Sequence, residues 1–109
     1  MKPGKNIAIK VPLYKWNETV EFYRDRVGLA VKKELRNSVG FAFGEMTLWI
    51  DRVERQSQAD VWLELFSDDP DAALRQLEGL NRDELEPLDD VAGHWTSDPA
   101  GVILLVRRE

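Results

Sequence analysis

Apolar and polar positions repeat in an order that predicts two similar halves. Ile7, Ile9 and Val11 alternate with Ala8 and Lys10, the period-two pattern of a strand with one buried face, and Pro12 ends it. Over residues 17–27 the period lengthens: Val20, Phe22, Tyr23 and Val27 fall at helical spacing behind Trp16. Asn17 is the expected N-cap and Gly28 the expected left-handed stop. Residues 30–35, 39–43 and 46–53 read as three short strands, with turns at Asn37-Ser38 and Gly44-Glu45. The order then restarts. Val61, Leu63 and Leu65 alternate with Trp62, Glu64 and Phe66, and Asp69-Pro70 sets a capping carboxylate before a first-turn proline. Ala73, Leu74, Leu77 and Leu80 give the stripe of a second helix, with Gly79 near its end. A polar stretch from residue 81 to 90 follows, with a short strand expected near Leu85. Residues 93–96 and 102–106 read as strands joined by the turn Asp98-Pro99-Ala100-Gly101.

Sliding one half onto the other by about 54 residues superposes strand on strand and helix on helix. The expected organisation is therefore one domain of two βαβββ modules, residues 1–54 and 55–109. Its class is α+β: eight strands in curled, mostly antiparallel sheets, with the helices outside. Strand parity sorts the side chains. If Ile7, Ile9, Val11 and Val61, Leu63, Leu65 face the helices, then Asn6, Ala8, Lys10 and Trp62, Glu64, Phe66 face the other way. Thr47, Trp49 and Asp51 join that second face, as do Ile103 and Leu105.

Three stretches carry a family resemblance. Thr19-Val20-Glu21-Phe22-Tyr23 with Val27-Gly28-Leu29 is close to an S/T-x-x-F-Y-x-x-x-L-G helix; Ser67-Asp68-Asp69-Pro70-Asp71-Ala72-Ala73 is like the start of a second helix; Asp98-Pro99-Ala100-Gly101-Val102 is like a D-P-x-G-N turn. In this order, with the internal repeat, the chain resembles the vicinal oxygen chelate superfamily, the glyoxalase/bleomycin-resistance/dioxygenase fold. The resemblance implies that each module curls into half a cup and that paired modules enclose a site. Metal-using members take ligands, two His and two Glu or Gln, from the first and fourth strands of each module. Those positions fall on Asn6, Trp49, Trp62 and Leu105 in this chain. Indole and isobutyl groups offer a cation no suitable lone pair, so neither metal nor other cofactor is expected.

Composition narrows the partners. The charge balance is 15 basic against 20 acidic residues, −5 overall, which lacks the basic footprint of a nucleic-acid binder. There is no cysteine, which excludes disulfides and thiol catalysis. No long apolar run suggests a membrane span, and the opening MKPGKN lacks the apolar core of a signal peptide, so a cytoplasmic protein is expected. Of the four tryptophans, Trp16 beside a helix start reads as core, Trp49 and Trp62 as walls of a pocket, and Trp95 is open between the two. Glu64, between Trp62 and Phe66 on one face, suits either a base or counter-charge or a rim carboxylate paired with Lys10 or an arginine. The lone His94 has no companion at ligand spacing and reads as structural. The expected ligand-binding residues are Asn6, Lys10, Trp49, Asp51, Trp62, Glu64, Phe66 and Leu105. The first functional expectation is a metal-free homodimer, by analogy with the bleomycin-resistance branch. It would hold a flat aromatic or cationic small molecule, with Glu64 or Asp51 as counter-charge. The alternatives are a metal-dependent lyase, isomerase or dioxygenase using Glu64, Asp51 and His94, and a non-catalytic dimerisation or interaction module.

Overall fold

The computed structural model describes residues 1–88 and 91–109. Among them are seven strands and two α-helices: β1 (Lys2–Pro12), α1 (Leu13–Glu21), β2 (Val31–Leu35), β3 (Ser38–Phe43), β4 (Met46–Val53), β5 (Asp60–Phe66), α2 (Pro70–Leu77), β6 (Gly93–Ser97) and β7 (Ile103–Arg107). No helix among the described residues is long and apolar enough to cross a membrane. The chain divides into two compact units, one of Lys5–Val61 and one of Met1–Gly4 with Trp62–Glu109.

In the first unit the strands run in the order β2-β3-β4-β1. β2/β3 and β3/β4 are antiparallel hairpins, whereas β1 and β4 pair in parallel, with Ala8 beside Trp49 and Lys10 beside Asp51. The parallel pair follows from connectivity: the helix returns the chain to the starting end of β1, and two hairpins then leave β4 pointing the same way. The sheet is therefore mixed rather than mostly antiparallel. Val39, Phe41, Leu48, Ile50, Val11 and Val20 form the buried cluster, with Ile7, Ile9, Trp16, Tyr23 and Leu29 packed against it. Trp16 donates its indole N–H to the Ile50 carbonyl at 2.9 Å, which fixes it as core.

The helix departs from its expected outline at both ends. It begins directly after Pro12, so Asn17 lies inside it and caps nothing. At its far end α1 widens into a π-helical turn, Phe22–Arg26, closed by the Val27 N–H on the Phe22 carbonyl at 2.9 Å. The extra residue in that turn rotates the stripe. Tyr23 stays on the core, while Phe22 and Val27 are exposed. Gly28 follows with φ +83°, the left-handed stop its position suggested.

In the second unit the order is β5-β7-β6, with β5 and β7 parallel and β6 antiparallel to β7. Asp69 caps α2 by accepting the Ala72 N–H at 3.1 Å, and Pro70 opens the helix. The Asp98 carboxylate accepts the N–H groups of Ala100 and Val102, both at 2.9 Å, and Gly101 takes φ +96°, which builds the expected turn. The strand expected near Leu85 is absent: residues 83–86 form a turn and bend, and Pro87 lacks the N–H that a ladder would need. Asp89 and Asp90 of the acidic run lie outside the described residues. α2 packs on β6 and β7, so Leu63 of β5 is left 37% exposed instead of forming core, and Leu65 and Leu104 are half-buried.

Candidate functional site

The face of the first-unit sheet opposite its buried cluster is organised in three rows across the strands. Ladder register places Gly40, Trp49 and Ala8 side by side, flanked by Ala42, Thr47 and Asn6 on one side and by Ser38, Asp51 and Lys10 on the other. The middle row is an indole between two of the smallest residues. The Trp49 N–H donates to Asn6 Oδ1 at 2.7 Å. At the other edge of the ring, a Cβ on Gly40 would stand 2.9 Å from Cζ3, closer than carbon atoms pack. The ring therefore reaches from β1 to β3, pinned at one edge by a hydrogen bond and admitted at the other by a missing side chain. Trp49 is half-buried.

The flanking rows are polar and internally satisfied. Lys10, 4% exposed, gives its ammonium to Asp51 Oδ2 at 2.7 Å, and Ser38 donates its hydroxyl to Asp51 Oδ1. On the other side the Lys32 ammonium donates to Thr47 Oγ1 at 2.9 Å. Four of the eight expected residues, Asn6, Lys10, Trp49 and Asp51, thus share one face. The surface is more polar than an apolar aromatic cup.

The other four share the corresponding face of the second unit. Register aligns Trp62 with Ile103, Glu64 with Leu105 and Trp95, and Phe66 with Arg107. Trp62 and Trp95 meet edge-to-face with centroids 5.0 Å apart, and both are buried. Arg107 lies 3.6 Å from Glu64, whose side chain is 6% exposed, and a Cβ on Gly4 would overlap the Glu64 side chain. Glu64 is therefore an enclosed carboxylate paired with an arginine, the partner type its sequence position allowed. A cavity of about 290 Å³ in this unit is lined by Met1, Lys2, Phe66, Ser67, Asp68 and Glu109; of the expected residues only Phe66 reaches it.

His94 lies on the opposite face of β6 from Trp95, toward α2. Its Nε2 meets Asp71 Oδ1 at 2.5 Å and its Nδ1 meets Asp83 Oδ2 at 2.9 Å. These two bonds, Asp71's first, hold the imidazole above its ordinary value, outweighing burial. Asp71 is held below the usual carboxylate range by the same bond. Burial pushes Asp83 up, but bonds from His94, the Trp95 N–H and Asn81 together bring it below the usual range. This placement removes His94 from a metal set with Glu64, which stands on the other face.

The residues present do not fit a resident metal ion. Of the four positions the resemblance assigns to ligands, Asn6 accepts from Trp49, Trp62 packs on Trp95, and Leu105 offers only an alkyl group. Among the described residues no group of three or more His, Asp, Glu or Cys is placed to hold a metal.

Sequence reasoning missed Lys32, Ser38 and Gly40, while parity placed Thr47 on this face without giving it a role. Two signals were present. Gly40 interrupts an apolar strand, a mark of close approach, and Lys32-Lys33 breaks the alternation of the preceding strand.

The fold is shared with solved structures. A glyoxalase/bleomycin resistance protein/dioxygenase superfamily member from Vibrio splendidus matches over 94% of this chain and 97% of its own, at 12% identity and a TM-score of 0.59. Methylmalonyl-CoA epimerase from Mycobacterium tuberculosis matches over 97% of this chain and 87% of its own, at 13% identity and a TM-score of 0.64. The Mn(II)-bound glyoxalase from Novosphingobium aromaticivorans covers 98% of this chain at 14% identity and a TM-score of 0.66, and this chain spans 38% of that one. No protein-family model matches the chain, and no curated protein matches it. The protein therefore has the vicinal oxygen chelate fold.

Proposed function

We propose that the protein binds a planar aromatic small molecule on the indole of Trp49, through side chains and without a metal. The observation that carries this reading is the pinned ring: a half-exposed indole held by Asn6 at one edge and lying across Gly40 at the other is a stacking surface set before any ligand arrives. Small-molecule sites combine such an apolar surface with a few fixed polar groups, the part Lys10, Asp51, Ser38 and Thr47 would play. A cationic ligand gains little support, because Asp51 is engaged by Lys10 and Ser38, and Glu64 by Arg107. The epimerase and the Mn(II)-bound glyoxalase of the same fold are enzymes, but the donor set here does not suit metal-assisted chemistry. The proposal keeps a homodimer and a small molecule as the partners, with neither nucleic acid nor membrane.

Calorimetric titration with planar aromatic compounds tests it. Trp49→Ala should abolish binding, while Trp16→Ala should lower stability and leave affinity unchanged. Equal binding by wild type and Trp49→Ala would overturn the reading.

A further inference from the structure

Strand β2 carries a feature that the stacking surface alone does not require. Its register against β3 slips: Val31 pairs with Phe41, and Lys33, two residues on, pairs with Gly40, the very next position. Lys32 is the extra residue of a bulge, so Lys32 and Lys33 together oppose Gly40. A bulge re-aims a side chain that alternation would have sent elsewhere. Here strict alternation would put Lys32 on the opposite face from Lys33. Instead its ammonium crosses to Thr47 Oγ1, 2.9 Å away, on the face that carries Trp49. Lys33 stands in the row of Gly40 and Trp49. One edge of the indole surface is thus bordered by two successive lysines.

The charges around that edge are unequal. At the Ser38 end, Lys10 and Asp51 compensate one another at 2.7 Å. At the Thr47 end, Lys32 meets a neutral hydroxyl, which leaves its positive charge in place. A hydroxyl and an ammonium held together form a donor pair suited to a carboxylate, because charge-assisted bonds are shorter and stronger than neutral ones. We propose that the Trp49 surface takes a planar aromatic acid, and that Lys32, aimed by the bulge, is the residue that selects the acid group. This rests on the Trp49 reading and adds the charge of the ligand to it. The net charge of −5 opposes an anion only at long range and is screened by salt, whereas Lys32 acts at contact.

The test is isothermal titration of the full chain with three compounds of one ring system: 2-naphthoate, the neutral 2-naphthamide and the cationic 2-naphthylmethylammonium. The acid should bind about tenfold more tightly than the amide, and the cation weakest. Lys32→Gln should bring the acid-to-amide ratio close to one, while Lys15→Gln, a substitution on the exposed side of α1, should leave it intact. Circular dichroism of the Lys32→Gln protein checks that it is folded. Binding of all three with no preference, or a preference that survives Lys32→Gln, overturns the role of Lys32 and leaves the Trp49 surface standing. Binding of none by the wild type overturns the stacking surface and this inference with it.

Discussion

The indole N–H of Trp49 and the side-chain oxygen of Asn6 are 2.7 Å apart, so two positions that the family resemblance assigns to metal ligands satisfy each other. One donor and one acceptor that would otherwise need water or a ligand are neutralised, and the hydrogen bond instead orients an aromatic ring.

That orientation can be removed without removing the ring. Asn6→Leu deletes the acceptor and leaves the indole N–H without its partner; Gly40→Ala pushes a methyl group against Cζ3. Each should weaken binding of a planar ligand by about tenfold or more, since a mobile or displaced platform must be ordered at the moment of binding. Titration calorimetry on both variants checks this, and the Trp49 emission maximum should shift in each.

The Asp71–His94–Asp83 clamp makes stability depend on pH. Both ring nitrogens face carboxylates, and only the imidazolium can donate from both. The His94 pKa is raised on folding, so its contribution is complete below its unfolded value, about 6.5. It is lost as pH rises through the higher folded value. Asp71 and Asp83 are lowered, so their contributions are present above about 3.9 and lost as pH falls through the folded values. Arg75 and Arg108 also act on Asp71, in the same direction as His94. The clamp is therefore strongest between about pH 4 and 6.5. Thermal melts of wild type and His94→Gln should differ most in that window and converge at alkaline pH.

Thr96 is fully buried, and its hydroxyl has no hydrogen-bond partner among the described residues. The hydroxyl fills the space where a Cβ at Gly79 would stand. Thr96→Val replaces it with a methyl group of similar size and removes an unmet desolvation cost, so it should raise stability by about 1 kcal/mol. Gly79→Ala should destabilise by driving a Cβ into Thr96. Urea denaturation of both variants gives the two signs.

Phe41 has no exposed surface and sits between Val39 and Leu48 in the first-unit cluster. Phe41→Ala should cost about 3–5 kcal/mol, read in the same denaturation experiment. Exposed Phe22, turned outward by the π-helical turn, should tolerate the same truncation at far smaller cost.

The sequence made visible whatever is decided within a few residues. Asp69-Pro70 and Asp98 through Gly101 specify their cap and turn by local hydrogen bonds, and both formed as expected. Parity also put Asn6, Lys10, Trp49 and Asp51 on one face, because period two leaves no other choice once the apolar positions are buried. What escaped depends on partners far along the chain. The π-helical turn lies where Tyr23 and Leu29 pack on the first-unit cluster, a contact with residues distant in sequence. The bulge at Lys32 is a register choice between two strands. The internal repeat predicts a short strand near Leu85, yet the side chains beside it serve other contacts: Asp83 with His94 and Trp95, Arg82 with Glu84.

Among the described residues β6 stands at the end of its row, with backbone groups that another chain could use for strand addition. Residues 82 and 83 engage those of Trp95 without forming a strand. The Trp95 N–H donates to the Asp83 carboxylate at 2.8 Å, and the Trp95 carbonyl accepts from the Arg82 N–H at 2.7 Å. A charged side chain thus takes the place of a ladder bond, and an incoming strand would have to displace it and bury its charge. The Asp83 carboxylate thus occupies part of the edge at which strand addition would begin, which makes edge-to-edge pairing there more costly.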